Sequence, residues 1–223
     1  MNPVILIPAR LGSTRFPNKM LVDMGGKPLI RRVYDECVKT GFVTFVLTDS
    51  QQIADVVPSH LTPEECENGT ARCSWWIQNE VQAFSKIINV QGDMPDIRAD
   101  MIMRIAAMLN KGAPVATLYA DMPKEQQDDP SSVKMIHNGK KAKWFGRGIT
   151  GYGDWHLGIY GYQRQELHKY NFLRKYNEED IEKLEQLRWL QNDIDITVDK
   201  VEFSGTEINT QEDLFKWQST QTN

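Results

Sequence analysis

An open α/β sheet, mostly parallel and flanked by helices, is the fold class that this sequence predicts. Three observations carry it. An apolar strand, a loop, an amphipathic helix and a second apolar strand follow one another within the first 50 residues. The same order recurs up to residue 120. The predicted strands also run into loops rich in turn-forming and charged residues, and open α/β sheets bind their ligands at such ends.

The elements follow in order. PVILI, 3–7, is β-branched and aliphatic throughout, as a strand covered on both faces must be. In PLIRRVYDECVKTG, 28–41, Leu29, Ile30, Val33, Tyr34, Cys37 and Val38 recur at helical spacing, and Gly41 is a stop signal. FVTFVLTD, 42–49, reads as a second buried strand, which completes a βαβ unit. A short helix over 51–57 and the polar loop ECENGTARCS, 65–74, precede a helix expected near 74–84. KIINVQGDMP, 86–95, is a strand ending in a turn-rich loop. ADMIMRIAAMLNKG, 99–112, is an amphipathic helix, and PVATLYA, 114–120, is another strand.

The second half is less regular. SVKMIH, 132–137, and KAKWFG, 141–146, flank Asn138-Gly139, a strong hairpin signal. HLGIYGY, 156–162, is strand-like despite two glycines. EEDIEKLEQLRWLQN, 178–192, predicts a helix with Ile181, Leu184, Leu187 and Leu190 in the core. DITVDKVEF, 195–203, predicts a strand, and TQEDLFKWQ, 210–218, the start of a final helix. There Thr210 and Asp213 form a variant capping box, with Asp in place of the usual Glu or Gln.

The gross composition narrows the function classes. The chain has 223 residues, 40% hydrophobic and 25% charged, which suits a packed core and argues against global disorder. Its net charge of −4 argues against a basic nucleic-acid-binding surface and leaves room for a local cationic pocket. Three cysteines give neither a disulfide framework nor a zinc spacing, and the four histidines are scattered. No run approaches the roughly 20 apolar residues that cross a bilayer, and the start lacks a signal-peptide pattern. A cytoplasmic protein without membrane or nucleic-acid partners is expected.

The chemistry concentrates first in IPARLGSTRFPNKM, 7–20, directly after the first strand. Arg10, Arg15 and Lys19 surround Gly12 and Ser13. Gly12 permits close backbone approach, guanidinium forks and N–H groups match phosphate oxygens, and Lys19 supplies a compact charge. Neither the Walker A spacing nor GxGxxG is present. A phosphate site or a solvated basic loop both fit the spacing.

IPARLGSTRFPNKML is similar to the opening signature of sugar-activating nucleotidyltransferases, especially cytidylyltransferases for 3-deoxy-manno-octulosonate (Kdo). Further pieces resemble that family in the same order. ENGTAR, 67–72, is similar to SGTER; NVQGDMP, 89–95, to NVQGDEP; and DPSSVKMI, 129–136, to PNxVKVV. HLGIYGY and LEQLR, 184–188, agree with the family residue for residue, and GTEINTQEDL, 205–214, is close to GTGVDTPEDL.

The resemblance implies a Rossmann-like sheet of the nucleotide-diphospho-sugar transferase type, with a small β-rich insertion for dimerisation and sugar binding. Residues 1–223 would form one cytidylyltransferase domain, with the sugar-binding and dimerisation subregion at about 130–180. It also implies joining of CTP to a Kdo-type sugar with release of pyrophosphate, Mg²⁺ assistance and a homodimer. The anomeric hydroxyl would attack the α-phosphorus. Arg10, Lys19 and Asp93 would be catalytic. Arg10, Gly12, Ser13, Arg15, Lys19, Gly69, Thr70, Arg72 and Gln91 would hold the nucleotide. Arg147, His156, Tyr160, Glu185 and Gln186 would hold the sugar, and Asp93 the metal.

Each of these has a plainer alternative. Asp93 suits a turn beside Gly92, and ENGTAR an ordinary surface loop. His156 and Tyr160 suit strand packing, and Glu185 and Gln186 a solvated helix face. At the second metal position of the family this chain carries Asn209 instead of aspartate, and Met94 replaces the QGDEP glutamate. Glu207 stands two residues before Asn209, on the same face if the segment is extended, where it would restore part of the lost charge. GRGITGYGDWH, 146–156, is shorter than the family's stretch. Transfer to another acidic sugar, sialic-acid-like or amino-substituted Kdo, and binding without turnover are the alternatives.

Overall fold

The computed structural model describes residues 2–12, 16–80 and 84–221. Strand β1 (Val4–Ala9) is buried along its whole length and lies between β2 (Val43–Thr48) and β4 (Lys86–Val90), parallel to both. β3 (Ser59–Leu61) extends the sheet beyond β2. On the other side, β8 (Asp154–Gln163) enters antiparallel between β4 and β5 (Val115–Ala120), and β9 (Ile196–Lys200) runs parallel to β5. The row is therefore β3-β2-β1-β4-β8-β5-β9, with β8 alone reversed. The hairpin appears where Asn138-Gly139 places it. β6 (Lys134–His137) pairs with β7 (Ala142–Gly146) and with the start of β8.

Both faces of this sheet are covered, which explains why β1 is apolar without alternation. Ile5, Ile7, Ile88 and Val90 face α1 (Leu29–Val38), α4 (Ala99–Asn110) and α8 (Gln211–Gln221). Val4, Leu6 and Ile87 face the side of α3 (Gly69–Asn79), α5 (Arg164–Lys169) and α7 (Leu187–Gln191). α2 (Gln51–Ala54) is a single turn, shorter than the 51–57 expected. The capping box of α8 forms as read. Asp213 Oδ2 accepts from the N–H groups of Asn209 and Thr210, and Thr210 Oγ1 accepts from Asp213 N at 3.2 Å.

β9 stops at Lys200, short of the 203 expected, and two helices differ more deeply from the sequence expectation. The helix expected near 74–84 starts at Gly69, because Asn68 Oδ1 accepts from Ala71 N at 2.8 Å and caps it. ENGTAR is thus a helix N-terminus instead of a free loop. The helix expected over 178–192 breaks. Lys183 takes a left-handed conformation, φ 57°, after α6 (Asn177–Glu182), and α7 begins at Leu187. Leu184 and Leu187 remain in the core, Leu190 packs at its edge, and Ile181 is 77% exposed and leaves it.

Candidate active site

Loops at the C-terminal ends of β1 and β4, the N-terminus of α3, the middle of β8 and the turn between α6 and α7 enclose one cleft of about 660 Å³. Its lining includes Arg10, Gly12, Lys19, Gly69, Arg72, Gln91, Asp93, Arg147, His156, Tyr160, Glu185, Gln186, Glu207 and Asn209. Arg10 and Asn209, 199 positions apart in sequence, therefore meet in one place. Ser13 and Arg15 lie outside the described residues.

Exposed Arg10 stands directly beyond β1. Buried Lys19, on a 3₁₀ turn (Lys19–Leu21), donates to Asp93 Oδ2 at 2.6 Å and to the Ile208 carbonyl at 3.1 Å. Gln91 is gripped from one side by β8, since a Cβ on Gly158 would lie 3.1 Å from Gln91 Cγ. That close approach explains one of the two glycines within a strand otherwise built of large side chains. Arg72 is 3% exposed, and its charge is met by Asp49 at 2.8 Å, with Thr62 as a second partner. Thr70 does not line the cleft. It is buried behind the wall, where its N–H donates to Glu185 Oε2 at 3.0 Å and its hydroxyl meets that of Tyr162.

Three oxygen-bearing side chains, Asp93, Glu207 and Asn209, gather beside Lys19. Burial, helped by the neighbouring Asp93 carboxylate, pushes the Glu207 carboxyl up to about 7. Among the described residues there is no group of three His, Cys, Asp or Glu side chains suited to a metal. The donors here are two carboxylates and an amide. That hard oxygen set fits Mg²⁺, which takes few protein ligands and fills its other positions with phosphate oxygens and water. Met94 is fully buried in the core and contributes nothing to this set.

The opposite chemistry lines the rest of the cleft. Arg147 Nη1 donates to the Ser131 carbonyl at 2.6 Å, and Nε donates to the Glu182 carbonyl at 3.2 Å. Its charge is felt at both Glu207 and His156. His156 is 4% exposed, and burial drives its imidazole down to about 3, so it is neutral. Thr117 Oγ1 lies 3.0 Å from His156 Nε2 and 2.8 Å from the Ile159 carbonyl. A carbonyl only accepts, so the hydroxyl proton goes to Ile159 and His156 donates from Nε2, leaving Nδ1 as an acceptor. Tyr160 packs against His156 with ring centroids 5.3 Å apart and still borders the cleft. Gln186 is 3% exposed, and among the described residues its Nε2 has no hydrogen-bond partner. The break at Lys183 turns Glu185 and Gln186 away from the solvated helical face on which a continuous helix would have put them.

The Cytidylyltransferase family matches residues 4–198 of this chain. The chain belongs to that family. A 3-deoxy-manno-octulosonate cytidylyltransferase of Bartonella henselae is 36% identical over 233 residues, covering 96% of each chain. An 8-amino-3,8-dideoxy-manno-octulosonate cytidylyltransferase of Shewanella amazonensis is 37% identical, again over 96% of each. Among solved structures, a CMP:2-keto-3-deoxy-manno-octonic acid synthetase complexed with CTP superposes with a TM-score of 0.91 at 30% identity. That match covers 100% of this chain and 99% of the other.

This cytidylyltransferase also has cleft residues that sequence reasoning missed: Glu67, Lys175, Glu179, Asp180 and Lys183. Arg188 binds both oxygens of Glu179, at 2.8 and 2.5 Å, and reaches Glu67 at 3.0 Å. Lys175 bridges Glu67 and Asp180. The arginine of LEQLR was the one sequence signal for this network, because a buried arginine demands carboxylate partners.

Proposed function

We propose that this cytidylyltransferase couples CTP to Kdo or a close analogue, giving CMP-Kdo and pyrophosphate. One observation carries the reading: Arg10, Lys19 and Asp93 share a cleft with Arg147, neutral His156 and a Gln186 donor that lacks a partner among the described residues. The first set suits a triphosphate. The second suits a sugar acid, with a cation for its carboxylate and donors and acceptors for its hydroxyls. The cytidylyltransferases named above for Kdo and its amino analogue support this assignment.

The chain's own residues would act by placement and charge. Arg10 and Lys19 hold the phosphates and stabilise negative charge as pyrophosphate leaves, a role that the family resemblance alone extends to Ser13 and Arg15. Gly12, Gly69, Thr70, Arg72 and Gln91 shape the nucleotide side, with Thr70 and Arg72 acting through Glu185 and Asp49. Arg147 holds the sugar carboxylate. His156 Nδ1, Tyr160, Glu185 and Gln186 orient the hydroxyls so that the anomeric oxygen faces the α-phosphorus. Asp93, with Asn209 and Glu207, would hold Mg²⁺, which when bound neutralises phosphate charge and polarises the phosphorus–oxygen bonds. The fold would act as one domain. Its subregion at about 130–180 would supply sugar contacts and the surface of a homodimer, working in the cytoplasm. Among the described residues no helix is long and apolar enough to cross a membrane.

An 8-amino sugar is the second reading. The Shewanella relative supports it, and so does Glu185, which among the described residues is held by Thr70 and stands in no ion pair. Pyrophosphate release from CTP and Mg²⁺ with Kdo, 8-amino-Kdo and sialic acid tests both. Release with Kdo is the expected result. Release only with the amino sugar favours the second reading. CTP binding by calorimetry without release for any sugar overturns the enzymatic assignment.

A further inference from the structure

We propose that Asp96 is a positioning residue that fixes Glu207 and Asn209 relative to Asp93 and thereby sets the cleft's affinity for a divalent cation. This rests on the cation reading above. The segment 201–209 forms no helix or strand, so its position must come from bonds to its surroundings. Asp96 supplies one of them and is itself anchored by a second bond, from α8. Its Oδ2 accepts the Thr206 N–H at 2.9 Å, and its Oδ1 accepts the Trp217 indole N–H at 2.9 Å. One carboxylate thus joins three parts of the chain: the loop after β4, the segment carrying Glu207, and α8.

The neighbouring bonds show what this brace serves. Ile208 N donates to the Asp93 carbonyl at 2.9 Å, and Lys19 holds the Ile208 carbonyl. Glu207 is therefore fixed at both flanks, Thr206 by Asp96 and Ile208 by Asp93 and Lys19. Asp93 and Asp96 sit three residues apart in one loop, so the loop that carries one carboxylate of the donor set also locates the other. The approach is close. A Cβ on Gly205 would lie 2.6 Å from Asp96 Cβ and 2.5 Å from the Phe203 ring, so the segment can sit this deep only with glycine there. Trp217 is 3% exposed, with the Arg32 guanidinium 4.6 Å over its ring, which makes it a rigid anchor for the far end of the brace. Asp96 does not line the cleft, and N–H donors occupy both its oxygens, so its effect on a cation is indirect.

Outer-shell partners of metal ligands typically change affinity by about 10- to 100-fold when altered. Asp96→Asn conserves volume but turns one acceptor oxygen into an amino group facing an N–H. Mn²⁺ binding by the full chain, followed by electron paramagnetic resonance without substrates, is the test. Asp96→Asn should weaken Mn²⁺ about tenfold or more, and Trp217→Phe, which removes one bond and keeps the ring, should weaken it less. CTP binding without metal should stay at the parent level. Parental Mn²⁺ affinity in both variants, with only a lower unfolding midpoint, would make the brace structural and overturn the proposal. Asp93→Asn in the same series separates the two readings. A parent that binds no Mn²⁺, or binds it regardless of Asp93, overturns the cation reading and this proposal together.

Discussion

Lys19 Nζ stands 2.6 Å from Oδ2 of Asp93, although 74 residues separate them in sequence. The ammonium and the carboxylate have side-chain exposures of 11% and 23%, so each is the other's main counter-charge. A substrate carrying phosphates and a cation would offer both groups new partners, and the pair is poised to exchange them.

Removing either partner alone leaves a largely buried charge. Lys19→Met and Asp93→Asn should each cost about 3 kcal/mol of stability, and the double variant markedly less than their sum. Activity should behave otherwise, with kcat/KM falling about 100-fold or more in each variant and no recovery in the double. Additive stabilities in urea denaturation would count against the pairing.

His156 makes stability depend on pH. Its folded value of about 3 lies below the ordinary 6.5, so the unfolded chain takes up a proton that the folded chain refuses. The contribution is fully present above 6.5 and is lost as pH falls from there toward 3. Between pH 8 and pH 5.5 this should remove about 1 kcal/mol. His156→Gln should flatten that part of the profile, and an unchanged slope in the variant would refute the assignment.

Gln186 separates binding from folding. Its buried Nε2 has no partner among the described residues, and an unpaired donor costs about 1–3 kcal/mol. Gln186→Leu should therefore leave thermal stability equal or higher, while the sugar KM rises about tenfold or more as a hydrogen bond to the sugar is lost. A drop in stability with an unchanged KM would show that the amide serves the fold.

The Arg188–Glu179 pair is the clearest structural ion pair near the cleft, with both side chains about 5% exposed or less. The Tyr170 ring lies 4.4 Å from the guanidinium and closes the site to water. Glu179→Ala leaves the buried arginine only the half-exposed Glu67 as a counter-charge and should cost about 3 kcal/mol, read as a shift of the urea midpoint.

The sheet and most of its helices were legible because periodicity carries them: β1 is apolar throughout and α4 alternates faces every third or fourth residue. The Asn138-Gly139 hairpin and the Thr210–Asp213 cap followed from turn chemistry. The break at Lys183 was not legible, because a left-handed lysine leaves no mark in apolar spacing, and Ile181 was misplaced with it. The start of α3 was missed because Asn68 was read as part of a polar loop, although its side chain is a good cap. Part of the cleft's membership was visible through family resemblance, but not Glu67, Lys175, Glu179, Asp180 or Lys183. What each side chain does there was less so. Whether Arg72 meets a nucleotide or Asp49, and whether Thr70 faces the cleft or Glu185, depends on contacts that spacing cannot encode.

The insertion of β8 has a consequence for how the chain reaches this state. β4 and β5 never bond to each other; each keeps one edge for a strand whose residues, 154–163, are made long after both. Until β8 arrives, two apolar strands wait with unpaired amides, and such edges template association between chains. A fragment ending before Asp154 should therefore scatter light at concentrations where the whole chain stays clear. During synthesis, the interval before β8 emerges is when this protein most needs protection from its own copies.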